Sequence, residues 1–228
     1  MEKLKRAGEL PHASAEEERR IHELRKRVEE LYNEANRLAR EGQREQLDRV
    51  RKQLQQNYKE LVKVLTEIVK RAPESKKDVR KVSEDEVREL QRFWEAYFDH
   101  PIASWKLAEL SVRLGDFKRA QGDAKGASEA YKEAADWTDR VYTIVMNSQL
   151  QPKEKVNLLE GANNLMLEIA EKLGDEELRR TANARKVILD AWRKAFREGL
   201  PQPDVIKLVE FGFFQTREAK RKEVKGYA

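Results

Sequence analysis

Residues 111–137 read SVRLGDFKRAQGDAKGASEAYKEAADW, and this stretch decides the fold. Gly122-Asp123 divides it in two. A glycine able to take positive φ ends one helix, and an aspartate caps the next. Before the break, Leu107, Leu110, Leu114 and Phe117 recur at spacings of three and four. After it, Ala127, Tyr131, Ala134, Thr138, Val141 and Val145 do the same, which is helical periodicity on both sides. The inward residues of the second helix are mostly small, and Gly115 stands on the first. Small residues let two helix axes approach to the lower end of the ~8–10 Å packing range. A mid-helix glycine costs roughly 1 kcal/mol against alanine, so a packing role for Gly115 is expected. The stretch predicts a close-packed helical hairpin.

Working toward the N-terminus, residues 1–13 read as a loose lead-in ending near Pro11. Ser14 stands three before Glu17, the spacing of a capping box. Ile21, Leu24, Val28, Leu31, Ala35 and Leu38 then repeat as a strict two-in-seven seam, stopped by Gly42. A second seam, Leu47, Val50, Leu54, Tyr58, Leu61, Leu65 and Ile68, ends at Ala72-Pro73. The connection is short enough to force an antiparallel return. Residues 14–72 are therefore expected to form a coiled-coil-like hairpin of two helices, each ~40 Å long at 1.5 Å per residue. Extra apolar residues at Val62, Val64 and Val69 predict that another surface covers its second helix. Residues 73–82, PESKKDVRKV, read as a polar linker. Ser83 and Glu86 form another capping box. They open a helix with Val87, Leu90, Phe93, Trp94, Tyr97 and Phe98, the most aromatic stretch of the chain. This cluster is expected to be core, sealing the long hairpin against the hairpin of 111–137. The competing reading is an exposed aromatic groove for a peptide. His100-Pro101 turns the chain, with His100 expected to cap the next helix.

Toward the C-terminus, a sixth helix is expected at about 153–173, ended by Gly174-Asp175, and a seventh at about 176–198, ended by Gly199. A short helix over 205–211 comes after the prolines at 201 and 203. Residues 215–228 carry five Lys or Arg against two Glu, a basic tail. The expected architecture is all-α: the hairpin of 14–72, then a helical domain over 83–214 built as a stack of hairpins, then the tail.

Leu114-Gly115, Gly122-Asp123, Ala127, Tyr131 and Ala134 together resemble the tetratricopeptide repeat, and the likeness covers about one repeat. Ser111 and Lys118 stand where that pattern has aromatic residues, and its closing proline is missing. The resemblance implies a tetratricopeptide-like stack that holds peptide on the inner face of its first helix. Here that face carries Glu109, Val112, Asp116 and Arg119. Val112 and Asp116 do not suit the Lys and Asn grip on a terminal carboxylate seen in some members, so carboxylate capture is not expected.

The chain has 228 residues, 39% of them charged and 39% hydrophobic, with a net charge of +5. This is enough for a core beneath long solvated helix faces. Without cysteine there are no disulfides and no thiolate chemistry, and a cytoplasmic location is the expectation. No run approaches the ~18 apolar residues of a membrane span, and MEKLKRAGELPHAS has no secretory core. Glu18 and His22 lie one turn apart with no second pair to complete a metal site. The stretch GDAKGAS at 122–128 lacks the Gly-Lys-Ser/Thr of a phosphate loop. No nucleophile with its base is visible, and no cofactor or metal is expected. Two surfaces remain. The face of Glu109, Val112, Asp116 and Arg119 suits another protein or copies of the chain. A basic stripe of Arg179, Lys186, Arg193 and Arg197, flanked by Arg180, Arg185 and Lys194, joins Lys220, Arg221, Lys222 and Lys225 of the tail as a candidate for phosphates. The expected function is a non-catalytic interaction protein, with nucleic-acid binding as the alternative.

Overall fold

A computed structural model describes residues 10–147 and 151–199. The expected helix at 205–211, the basic tail and residues 1–9 lie outside these. Among the described residues the chain is all-α: seven helices, one 3-10 turn and no strand. It divides into two compact units, with the boundary between Ala103 and Ser104.

The first unit is organised by α1 (Ala15–Glu41) and α2 (Arg44–Arg71). The Ser14 hydroxyl accepts the Glu17 N–H at 3.2 Å, and the Glu17 carboxylate accepts the Ser14 N–H at 2.8 Å. Glu16, Glu17 and Glu18 place negative charge where the helix dipole is positive. Gly42, at φ 71°, ends α1 in a conformation that a Cβ disfavours. The two helices pack on each other along the expected seam. Near the tip it is thin: Leu31, Ala35, Leu38 and Val50 are buried, with Leu47 and Leu54 only partly covered. Toward the base, Ile21, Leu24, Leu61, Leu65, Ile68 and Val69 are all buried.

Three expectations about this unit need correction. Residues 73–82 are not a linker. Pro73–Lys76 form a 3-10 turn, and Val79 and Val82 are buried. The polar average of the segment hides two valines three apart, enough to pin it to a core. In consequence α3 (Glu84–Ala96) belongs with the long hairpin rather than with the second unit. Its Phe93 and Trp94, with Tyr97 just beyond, are buried, and the Phe93 ring lies 5.1 Å from each of the other two. The aromatic cluster is core, as expected, but the core of unit 1. The segment 1–13 is also not loose throughout. Leu10 is buried, and residues 10–13 form a turn closed by the Ala13 N–H on the Leu10 carbonyl at 3.1 Å.

The second unit contains α4 (Ala103–Ala120), α5 (Ala124–Asn147), α6 (Pro152–Leu173) and α7 (Glu176–Arg197). Asp123 caps α5 by accepting the Gly126 N–H at 2.8 Å, and Asp175 caps α7 through the Leu178 N–H at 2.9 Å. Gly115 has its packing reason, since a Cβ there would overlap the Tyr131 ring. Gly161 likewise lets α6 close on Trp105 of α4. One apolar core runs from Ala108 and Val112 through Tyr131, Val141, Leu159, Met166 and Ile169 to Leu189 and Trp192. A polar node sits inside it: Tyr142 donates to Asn163 Oδ1 at 3.1 Å, and Asn163 Nδ2 donates to the Ala182 carbonyl at 2.9 Å. One amide thereby ties α5, α6 and α7 together, with donor and acceptor both satisfied, as burial requires.

Candidate functional site

The first sequence candidate, the α4 face of Glu109, Val112, Asp116 and Arg119, is not an open groove. Val112 is buried in the core of unit 2. Asp116 accepts hydrogen bonds from the Tyr131 hydroxyl and from Lys172 Nζ, both at 2.7 Å. Arg119 donates to the Lys172 carbonyl and lies 4.9 Å from the centre of the Tyr131 ring. Glu109 is mostly covered and lies 4.0 Å from Lys106. Periodicity shows that these residues share a face but not what lies over it. Here α5 and α6 do, and the small residue at Gly161 is the sequence signal that a large side chain from α4 comes close.

What remains of that face is a shallow cleft of about 260 Å³ lined by Arg119, Ser128, Tyr131, Lys172 and Leu173. Its size lies below the usual range for small-molecule sites, ~300–1,000 Å³. Both of its cations are engaged, Lys172 by Asp116 and Arg119 by a carbonyl and the Tyr131 ring. Burial, helped by the Asp116 bond, pushes the Tyr131 hydroxyl up to about 12, so it stays a neutral donor.

The basic stripe of α7 is broken rather than continuous. Arg179 pairs with Glu176 at 2.6 Å, and Arg193 pairs with Glu160 of α6. Lys186 and Arg197 reach solvent. Arg185 turns inward: it is nearly buried, lies 3.3 Å from Asp139 and stacks 4.1 Å over Tyr142. It is a core residue, not part of an exposed flank. Lys220, Arg221, Lys222 and Lys225 lie outside the described residues. Among the described residues no three His, Asp or Glu side chains converge as metal ligands. His22 is exposed, and Glu18 is taken by the Leu10 N–H at 2.7 Å. His100 does close a turn: its carbonyl accepts the Ala103 N–H at 2.9 Å, and its ring lies 3.3 Å from Thr66 Oγ1.

The feature that periodicity alone passes over is on the hairpin. Tyr32 is 58% exposed, although the residue just before it, Leu31, is at the centre of the seam. It stands one residue out of register with the seam, and that mismatch is its sequence signal. Around it lie the exposed residues Glu29, Asn33 and Asn36.

Among the described residues the protein is all-α, with no helix long and apolar enough to cross a membrane. No family model, no curated protein and no solved structure matches the chain.

Proposed function

We propose that this chain is a non-catalytic protein–protein interaction module, an adaptor, scaffold or assembly subunit, whose binding element is the outer half of the α1–α2 hairpin. The observation that carries this is Tyr32. This large aromatic side chain is 58% exposed and stands beside the thin seam of Leu31, Ala35, Leu38 and Val50. Tyrosine is also among the residues that concentrate binding energy at protein interfaces. A tetratricopeptide-like arrangement of α4–α7 belongs to this reading. It is supported by the glycine-mediated approach of Gly115 to Tyr131, at the positions that carry the resemblance. A cytoplasmic location belongs to it too, resting on the lack of cysteine.

The alternative, nucleic-acid binding through α7, is weakened by the pairing of Arg179 and Arg193. One experiment separates the two. The protein and a Tyr32→Ser variant are used to capture partners from native lysate, with and without nuclease. The proposal expects a discrete set of proteins that survives nuclease and is lost with Tyr32→Ser at unchanged melting temperature. Capture that vanishes with nuclease supports the nucleic-acid reading. Equal capture by both proteins removes Tyr32 from the site.

A further inference from the structure

One side of α7 is buried and the other carries an apolar stripe into solvent. Leu178, Ala182, Leu189 and Trp192 face the core of unit 2. On the opposite side, Arg180, Ala184, Val187, Ala191, Lys194 and Glu198 recur at spacings of four and three, and all six are exposed. This is the two-in-seven spacing of a coiled-coil seam, sustained over about 27 Å at 1.5 Å per residue. Its middle is apolar. Val187 is 68% exposed, and among the described residues no other large apolar side chain is as open. Ala184 and Ala191 stand on either side of it, small enough for another helix axis to come close. Ile188, partly covered, borders the strip. The ends of the stripe carry opposite charge, Arg180 near the start of α7 and Glu198 at its C-cap.

The charges decide what fits this face. In a parallel pair of copies each residue would meet its own counterpart, setting Arg180 on Arg180 and Lys194 on Lys194. In an antiparallel pair about a two-fold axis the six positions match in reverse order. Arg180 of each copy then meets Glu198 of the other, Ala184 takes the aliphatic stem of Lys194, and Val187 packs on Ala191. Sliding one helix by four residues, to put Val187 on Val187, would set Arg180 against Lys194. Charge therefore selects both direction and register. The end charges are also available. Arg180 has no ion-pair partner among the described residues, and Glu198 has only a loose, exposed contact with Lys194 at 3.9 Å. We infer that unit 2 pairs with a second copy of this chain through an antiparallel contact of their α7 helices, centred on Val187 and Ala191. The contact uses the same patch on both copies, so it closes at two. One helix pair makes a small interface, below about 1,200 Å², and the dimer forms in a concentration-dependent way. This surface does not rest on Tyr32, and either can fail without the other.

The test exchanges the end charges. Arg180→Glu and Glu198→Arg are made separately, and each places the charge that its end of α7 favours, so neither works against the helix. Either variant alone sets like charges face to face across the pair and should be monomeric. Mixed in equal amounts, the two restore both ion pairs, and light scattering after size exclusion should show a heterodimer. Wild-type protein should pass from monomer to dimer as its concentration rises. Val187→Asp should abolish the dimer while helical signal and melting temperature stay unchanged, because this side chain stands in solvent in the single copy. Wild-type protein that remains monomeric at every concentration would overturn the inference. Dimers formed by each charge variant alone, or no heterodimer in the mixture, would overturn it too, since the antiparallel register requires the opposite. A monomer that loses stability with Val187→Asp would give the face to the chain's own residues beyond Gly199, and a second copy would then have no place there.

Discussion

The two units solve the same problem, how to bury helix faces, with opposite means. In the outer half of the α1–α2 hairpin the buried cluster is four side chains, Leu31, Ala35, Leu38 and Val50, drawn from these two helices. In unit 2 the core spans four helices and admits large rings, Tyr131, Tyr142 and Trp192, and glycine stands opposite the first of them. The lesson is that core thickness, not helix length, sets how much one side chain matters. The hairpin helices are 27 and 28 residues long, yet their tip rests on four buried side chains. This contrast predicts the largest effect. Trp192→Ala in unit 2 should cost about 3–5 kcal/mol, because the surrounding four-helix core cannot collapse onto the void. Leu31→Ala in the hairpin should fall near the lower end of the ~2–5 kcal/mol range, since a two-helix seam can close over a gap. Chemical denaturation of both variants gives the comparison, and an equal loss would break it.

Close approach in unit 2 gives the next test. In an open helix, Gly→Ala gains roughly 1 kcal/mol. At Gly115 the added Cβ would meet the Tyr131 ring, and overpacking of this kind costs about 1–3 kcal/mol. Gly115→Ala should therefore lower stability rather than raise it. A raised melting temperature would mean that α4 and α5 are not as tightly approached as Gly115 implies.

How far this contrast was legible in the sequence differs between its halves. The helices, their caps at Ser14, Ser83 and Asp175, and their glycine stops at Gly42, Gly122 and Gly174 were all readable, because these are local effects of side chain on adjoining backbone. What lay over each face was not. Val112 looked like part of an open face and is buried, and Arg185 looked like a solvated flank and is buried too. Both outcomes depend on which distant helix arrives, and a one-dimensional period carries no such information. The boundary between units was misplaced for a related reason. Val79 and Val82 sit in a polar run whose average composition outweighed them.

The base of unit 1 differs from its tip in containing a partly buried titratable ring. Burial pushes the His100 imidazole down to about 4, from an ordinary value near 6.5. Its folded-state value lies below its unfolded one. Below about pH 6.5 the unfolded chain takes up a proton that the folded chain refuses until about pH 4. The contribution of this group to stability is therefore complete above that window and falls as pH drops through it, by at most roughly 1.4 kcal/mol per pH unit. His100→Gln should flatten the stability profile between about pH 6.5 and about pH 4.5. An unchanged slope would place the ring in water and the base of the hairpin open.

The smallest expected effect lies at the hairpin tip, where charges are plentiful and exposed. Glu45 and Arg49 pair at 2.5 Å, one turn apart in α2, with the acid toward the N-terminal end as the helix dipole prefers. Both side chains are largely exposed, at 82% and 74%. Water screens such a pair, and ordering two long side chains offsets most of its attraction, which leaves about 0.3–0.5 kcal/mol. Glu45→Gln should thus shift the denaturation midpoint by little in low salt. The shift should disappear at about 1 M salt, where the screening length is ~3 Å. A loss well above about 1 kcal/mol would exceed what an exposed pair can supply. It would show that charge, not the seam of Leu31, Leu38 and Val50, holds the tip together. The hairpin would then be an electrostatic element and unit 2 an apolar one, and the contrast between them would concern the kind of force as well as the thickness of the core.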